Sequence, residues 1–158
     1  MKIKSAAINN HRKCFEVETA KGKFHLPFSK ASLVPSAANK IAKVYVDKEL
    51  GSEAITYALE SGEDNSIPLD AFLDYNRDPE YLAKLLLHRL TLDALDRIKT
   101  SKLSRRELAR KLSTSPAQLY RLLDPANQTK TLDQMIKLLA ALGYGLEYKI
   151  VRDKASAA

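Results

Sequence analysis

Three helix-start signals crowd into the C-terminal half of this 158-residue chain: Ser104 with Glu107, Ser115 with Gln118, and Thr131 with Gln134. Each fits the S/T-x-x-E/Q capping box, in which a hydroxyl accepts from the N–H three residues on while the Glu or Gln side chain reaches back to the cap residue's own N–H. Three helices are therefore expected in quick succession, at about residues 104–112, 116–123 and 131–142. Only Ser113, Thr114 and Ser115 stand between the first two, a spacing that fits a sharp helix-turn-helix.

The flanks extend the helical reading. Asp78-Pro79 starts a longer helix over 79–99, because Asp caps well and Pro suits the first helical position. Leu82, Leu85, Leu86, Leu90 and Ile98 keep its period, with a bend near Thr91 as the alternative to one straight rod. Gly143 is placed to stop the last helix. Beyond it, Leu146, Tyr148 and Ile150 alternate with Glu147, Lys149 and Val151, which predicts a final strand, and residues 152–158 are expected to be a disordered tail.

The first half has the period of strands. Lys2 to Ile8, Lys13 to Thr19 and Lys23 to Leu26 alternate apolar with polar residues, and Ala20-Lys21-Gly22 makes a hairpin turn between the last two. Pro27 and Pro35 bracket a loop or short helical turn. Ala42 to Lys48 and Ala54 to Leu59 follow as two strands joined at Gly51-Ser52. Ser61 to Asn65 is expected as a polar turn, and Ser66 and Ile67 lead through Pro68 into a short helix, LDAFLDY. The predicted fold class is α+β: a small antiparallel β-rich module over 1–76, then a helical helix-turn-helix module over 77–151 that closes on the short strand.

Charge separates the halves more sharply than composition does. Residues 1–78 hold 11 Lys/Arg against 11 Asp/Glu, so the formal excess of +7 belongs entirely to residues 79–158, with 15 against 8. Nine basic residues fall within 97–130, against only Glu107 and Asp124. A charged run by itself is no more than a solvated face, but this one coincides with the helix-turn-helix, which points to nucleic-acid phosphates.

Other chemistries find little footing. No apolar run approaches the ~18 residues of a membrane span, and the N-terminus has no apolar stretch like that of a secretory signal. The lone Cys14 cannot form an internal disulfide, which fits a reducing, cytoplasmic setting. His11, His25 and His88 lack metal-ligand spacing with one another or with Cys14, and the five glycines form no phosphate loop. The acidic residues Glu60, Glu63, Asp64, Asp70 and Asp74 lack the spacing of a calcium loop. No metal, cofactor or catalytic residue is expected.

In a helix-turn-helix the second helix enters the major groove with its N-terminal residues toward the base edges, while the first crosses the backbone. Pro116, Ala117, Gln118, Tyr120 and Arg121 are then the candidate base contacts of double-stranded DNA. Gln118 suits adenine, Arg121 guanine, and Ala117 a thymine methyl, although a Gln118 that closes its capping box cannot also reach a base. Arg105, Arg106, Arg110, Lys111 and Lys130 are candidate phosphate contacts, joined by Ser104, Ser115, Thr129 and Thr131 at or near helix starts. Leu108, Leu112, Leu119 and Leu122 supply the shared core, with Ala109 small where the helices approach.

The stretch LSRRELARKLSTSPAQLYRLL followed by TLDQMIKLLAALGYGL resembles the Cro/C1 (Xre) helix-turn-helix of bacterial and phage regulators, over roughly residues 80–143. The resemblance implies a sequence-specific transcriptional regulator. A homodimer is expected because one helix-turn-helix reads only a half-site. Two positions depart from the family pattern, which usually has Gly where Ser113 stands and Gln where Arg105 stands. KVYVDKELGSEAITYALESGEDNSIPLDAF is similar to the end of a small bacterial β domain of unknown function. Such modules are sometimes joined to Xre-type helices in regulators or antitoxins, so the alternative reading is an antitoxin that binds a toxin protein and autoregulates through the same helices.

Overall fold

Alternating side chains in the first half build two three-stranded antiparallel sheets. The computed structural model describes residues 1–151, so the predicted tail lies outside the described residues. The chain divides into two compact units, Met1–Leu82 and Ala83–Ala158. The described structure is α+β.

In the first unit, β1 (Ile3–Asn9), β2 (Cys14–Thr19) and β3 (Lys23–Pro27) form one sheet in that order. Phe15, Val17 and Thr19 point inward from the central strand, as the period-2 pattern requires, with Phe15 opposite Ile8 and Leu26. A single 3-10 turn, Phe28–Lys30, follows Pro27. The second sheet runs β4 (Ile41–Val46), β5 (Ala54–Leu59) and β6 (Asp64–Pro68). Helix α1 (Leu69–Tyr75) comes next and buries Leu69, Phe72 and Leu73 in the core shared with Phe15, Ile55 and Tyr57.

β6 corrects the expected turn over Ser61 to Asn65. The reversal is confined to Leu59–Glu63, where Gly62 takes φ +89° and Leu59 N–H donates to the Glu63 carbonyl at 2.8 Å. Asn65, Ser66 and Ile67 then pair with Tyr57, Thr56 and Ile55. Only Ile67 of β6 is buried, so this edge strand has the polar composition of a loop, and the hydroxyls of Thr56 and Ser66 meet at 2.7 Å across the ladder.

The loop after β3 is fastened to the core by Tyr57. Its fully buried ring carries a hydroxyl that donates to the Leu33 carbonyl at 2.8 Å and accepts from the Leu33 N–H at 3.1 Å. Burial pushes the phenol's pKa up, partly offset by the Leu33 bond.

Asp78 caps the long helix α2 (Pro79–Thr100) by accepting from Tyr81 N–H at 2.8 Å, and the helix runs without interruption through Thr91. The second unit adds α3 (Arg105–Lys111), α4 (Pro116–Leu123) and α5 (Leu132–Ala141). Its core joins Leu90 and Ala94 of α2, Leu108 and Ala109 of α3, Leu119 and Leu123 of α4, and Met135, Leu138 and Leu139 of α5. Leu112 and Leu122, expected in the shared core, are only partly buried and pack against it.

α5 ends as Gly143 predicts. Gly143 takes φ +88°, its N–H donates to Ala140 and that of Tyr144 to Leu139, which is the Schellman arrangement. The final strand expected after it is not formed. Gly145–Val151 has no regular structure, and Tyr148 and Ile150 are 86% and 88% exposed. An alternating segment becomes a strand only against another strand's backbone, and the rest of the described second unit is helices and their connections.

Replacing Tyr57 by Phe leaves both partly buried Leu33 backbone groups without their partner, and is expected to lower the stability of the first unit by about 1–3 kcal/mol. Chemical denaturation of wild type and Tyr57→Phe measures this; equal midpoints would refute the tether.

Candidate nucleic-acid interface

Backbone geometry at the turn sets how α3 presents α4. Ser113 occupies the left-handed region at φ +51°, with its N–H donating to Arg110 and that of Thr114 to Ala109, both at 3.0 Å. This is again a Schellman cap, built on a serine where glycine would be free of the Cβ clash.

The three predicted boxes differ in how fully they close. At α3, Ser104 Oγ accepts from Glu107 N–H at 3.2 Å, and Glu107 Oε2 accepts from Ser104 N–H at 2.8 Å and from the Ser104 hydroxyl at 2.7 Å. The Ser104 hydroxyl and backbone bonds together hold the Glu107 carboxyl below its ordinary pKa. At α5, Thr131 and Gln134 close the second complete box. At α4 only half a box forms. Ser115 Oγ accepts from Gln118 N–H at 3.2 Å, and the Gln118 amide makes no return bond. The competition between capping and base contact at Gln118 is thereby removed.

Along α4, Pro116, Ala117, Gln118, Tyr120 and Arg121 are all exposed, while Leu119 and Leu123 are buried. The expected base-contacting row is thus the outward face of an amphipathic helix. Arg105 of α3 lays its guanidinium over the Tyr120 ring, 5.1 Å from its centre, and so braces the two helices. Arg106, Arg110 and Lys111 are exposed on α3, and together with Arg105 and Arg121 they make no close ion pair among the described residues, although the charges of Arg110 and Lys111 help to lower the pKa of Glu107. Gln118, Arg121, Asn127, Thr129 and Gln134 line a polar cleft of about 90 Å³ with Leu122 and Lys130.

Lys130 departs from its expected role. It is only 5% exposed, and its ammonium donates to Thr91 Oγ1 at 2.7 Å, the Leu122 carbonyl at 3.1 Å and the Asp124 carbonyl at 2.6 Å. Burial lowers its pKa, against the pull of the Asp124 charge. All three donors of the ammonium are engaged inside the protein, so it has none left for a phosphate, and it instead satisfies carbonyls at the end of α4. Thr91 completes the link by donating to the Leu87 carbonyl at 2.7 Å. The neighbouring Thr129 is exposed but binds Asn127 Oδ1 through its hydroxyl at 2.7 Å, and Thr131 is exposed at the start of α5. Nothing in the residue order marked Lys130 as buried; one extra basic residue in a basic region carries no sign of its environment.

Elsewhere, no group of three or more His, Cys, Asp or Glu among the described residues is placed to hold a metal ion. Cys14 is buried, and burial raises its thiol pKa, the reverse of what a nucleophile needs. No described helix is long and apolar enough to cross a membrane. Protein-family models, curated proteins and solved structures give no match to this chain.

Two substitutions test the framework. Ser113→Gly removes the Cβ from a left-handed position and should stabilise the helical unit by about 1 kcal/mol, whereas Lys130→Met strands buried acceptors and should cost about 2–3 kcal/mol. Urea unfolding followed by the helical far-ultraviolet signal measures both. A destabilising Ser113→Gly or a neutral Lys130→Met contradicts the respective assignment.

Proposed function

We propose that the chain is a cytoplasmic, sequence-specific DNA-binding regulator of transcription that lays α4 in the major groove. The observation that carries this reading is the outward face of α4. Pro116, Ala117, Gln118 and Arg121 are exposed from the helix start onward, with neither long side chain held by a hydrogen bond or ion pair within the described protein. Such a row combines an amide suited to adenine, a guanidinium suited to guanine and a small apolar surface for a thymine methyl. Arg106, Arg110 and Lys111 give α3 the charge to sit across the phosphate backbone, where they add affinity and register but no sequence preference. Arg105 can serve the same backbone while remaining stacked on Tyr120. Ser115 and Thr131 lie exposed at helix N-termini, where backbone N–H groups favour anions, whereas the hydroxyls and N–H groups of Ser104 and Thr129 are already given to Glu107 and Asn127 Oδ1.

Selection of duplexes from a random-sequence pool by the full chain should yield a defined site. On that site Arg121→Ala is expected to weaken binding by about 1–3 kcal/mol and relax one base position, whereas Arg106→Ala weakens all duplexes alike and lowers the salt slope by about 1. Fluorescence anisotropy over a salt series reads both. The docking is wrong if no sequence is enriched or if the two variants behave as wild type.

A further inference from the structure

Helix α4 ends without a cap of its own. Asp124 takes an extended backbone, φ −76° and ψ 113°, as a residue before proline does, so α4 does not close on a left-handed residue as α3 and α5 do at Ser113 and Gly143. Its last carbonyls would be left open, and residues of the following connection take them. Lys130 holds those of Leu122 and Asp124. The carbonyl of Arg121 goes to a different residue. Asn127 Nδ2 donates to it at 2.8 Å, and the Asn127 N–H donates to the Asp124 carbonyl at 3.1 Å.

Only one orientation of the Asn127 amide satisfies its neighbours. Oδ1 accepts from the Thr129 N–H at 3.0 Å and from the Thr129 hydroxyl at 2.7 Å, while Nδ2 faces the Arg121 carbonyl. A flipped amide would set oxygen against oxygen on one side and donors against donors on the other. Half-buried Asn127 also lines the polar cleft that Gln118 and Arg121 line. We propose that Asn127 is a positioning residue for the base contact of Arg121 and is itself oriented by Thr129, a role that rests on the DNA reading above. Neither residue has to touch the duplex. A bidentate contact to guanine needs the guanidinium aligned with the base edge, and Arg121 projects from the last turn of α4, where helices fray. Pinning its carbonyl holds that turn at the residue that reads. Leu119 and Leu123 fix the inner face of α4 to the core, so loss of the Asn127 bond loosens the last turn without unfolding the helix.

On the duplex that the full chain selects, Asn127→Ala is expected to lower discrimination at the base read by Arg121 about fivefold, while affinity for a scrambled duplex stays within about twofold of wild type. In an Arg121→Ala background the same change should alter specific affinity by less than about twofold, because the contact it positions is gone. Thr129→Val leaves the amide free to turn and should lose discrimination at the same base, whereas Thr129→Ser keeps the hydroxyl and should retain it. Fluorescence anisotropy with duplexes substituted one base pair at a time reads all four, and an unchanged helical far-ultraviolet signal checks that each variant is folded. The positioning role is overturned by an Asn127→Ala that weakens all duplexes alike or keeps full discrimination, by an effect that persists without Arg121, or by a Thr129→Ser no better than Thr129→Val. If Arg121→Ala relaxes a base position and Asn127→Ala does not, the positioning role falls and the DNA reading stands; if the wild type selects no sequence, both fall.

Discussion

One buried ammonium sets the position of the helix on which the proposed function rests. Lys130 draws together the Thr91 hydroxyl in α2 and the Leu122 and Asp124 carbonyls at the end of α4. Removing a charge from water is costly, and the arrangement is stable only because each donor finds an acceptor and the carbonyls would otherwise lack partners. The C-terminal end of α4 is thereby tied to α2, while Leu119 and Leu123 hold its inner face to the core. What remains outward is the row from Pro116 to Arg121.

Short-range chemistry made most of this fold legible. Ser104, Ser115 and Thr131 mark helix starts because capping is a matter of three or four consecutive residues, and Phe15, Val17 and Thr19 mark a half-buried strand because the pleat has period 2. Legibility failed where a partner distant in sequence decides. β6 is a strand because β5 offers it a backbone ladder and Thr56 meets Ser66, facts absent from a segment that spells DNSIP. Leu146–Val151 fails as a strand in the single chain for the opposite reason. In the candidate site, exposure of the α4 row followed from helical periodicity alone, whereas the burial of Lys130 depends on Thr91, 39 residues away.

The N-terminal unit follows a different logic from the helical one. Its sheets are neutral in sequence and its loop after β3 is secured by a phenol and backbone groups, without a charge, through Tyr57 and Leu33. The helical unit combines an apolar core with one buried cation and a basic outer face. A substitution that adds or removes charge therefore acts on different properties in the two halves: mainly stability in the first, and both stability and the surface potential in the second.

The stack of Arg105 on Tyr120 and the open half-box at Gln118 have opposite thermodynamic meanings. Arg105 already has its guanidinium held against a ring before any ligand arrives, so little side-chain rotamer entropy remains to be lost when it meets an anion. Gln118, with no bond holding its amide, enters any contact with its torsional freedom intact and loses on the order of 1.5–2 kcal/mol of it on becoming fixed. In the proposed DNA complex Arg105 would be a prearranged contact, and Gln118 an adaptable one whose selectivity is blunted by the entropy of ordering it.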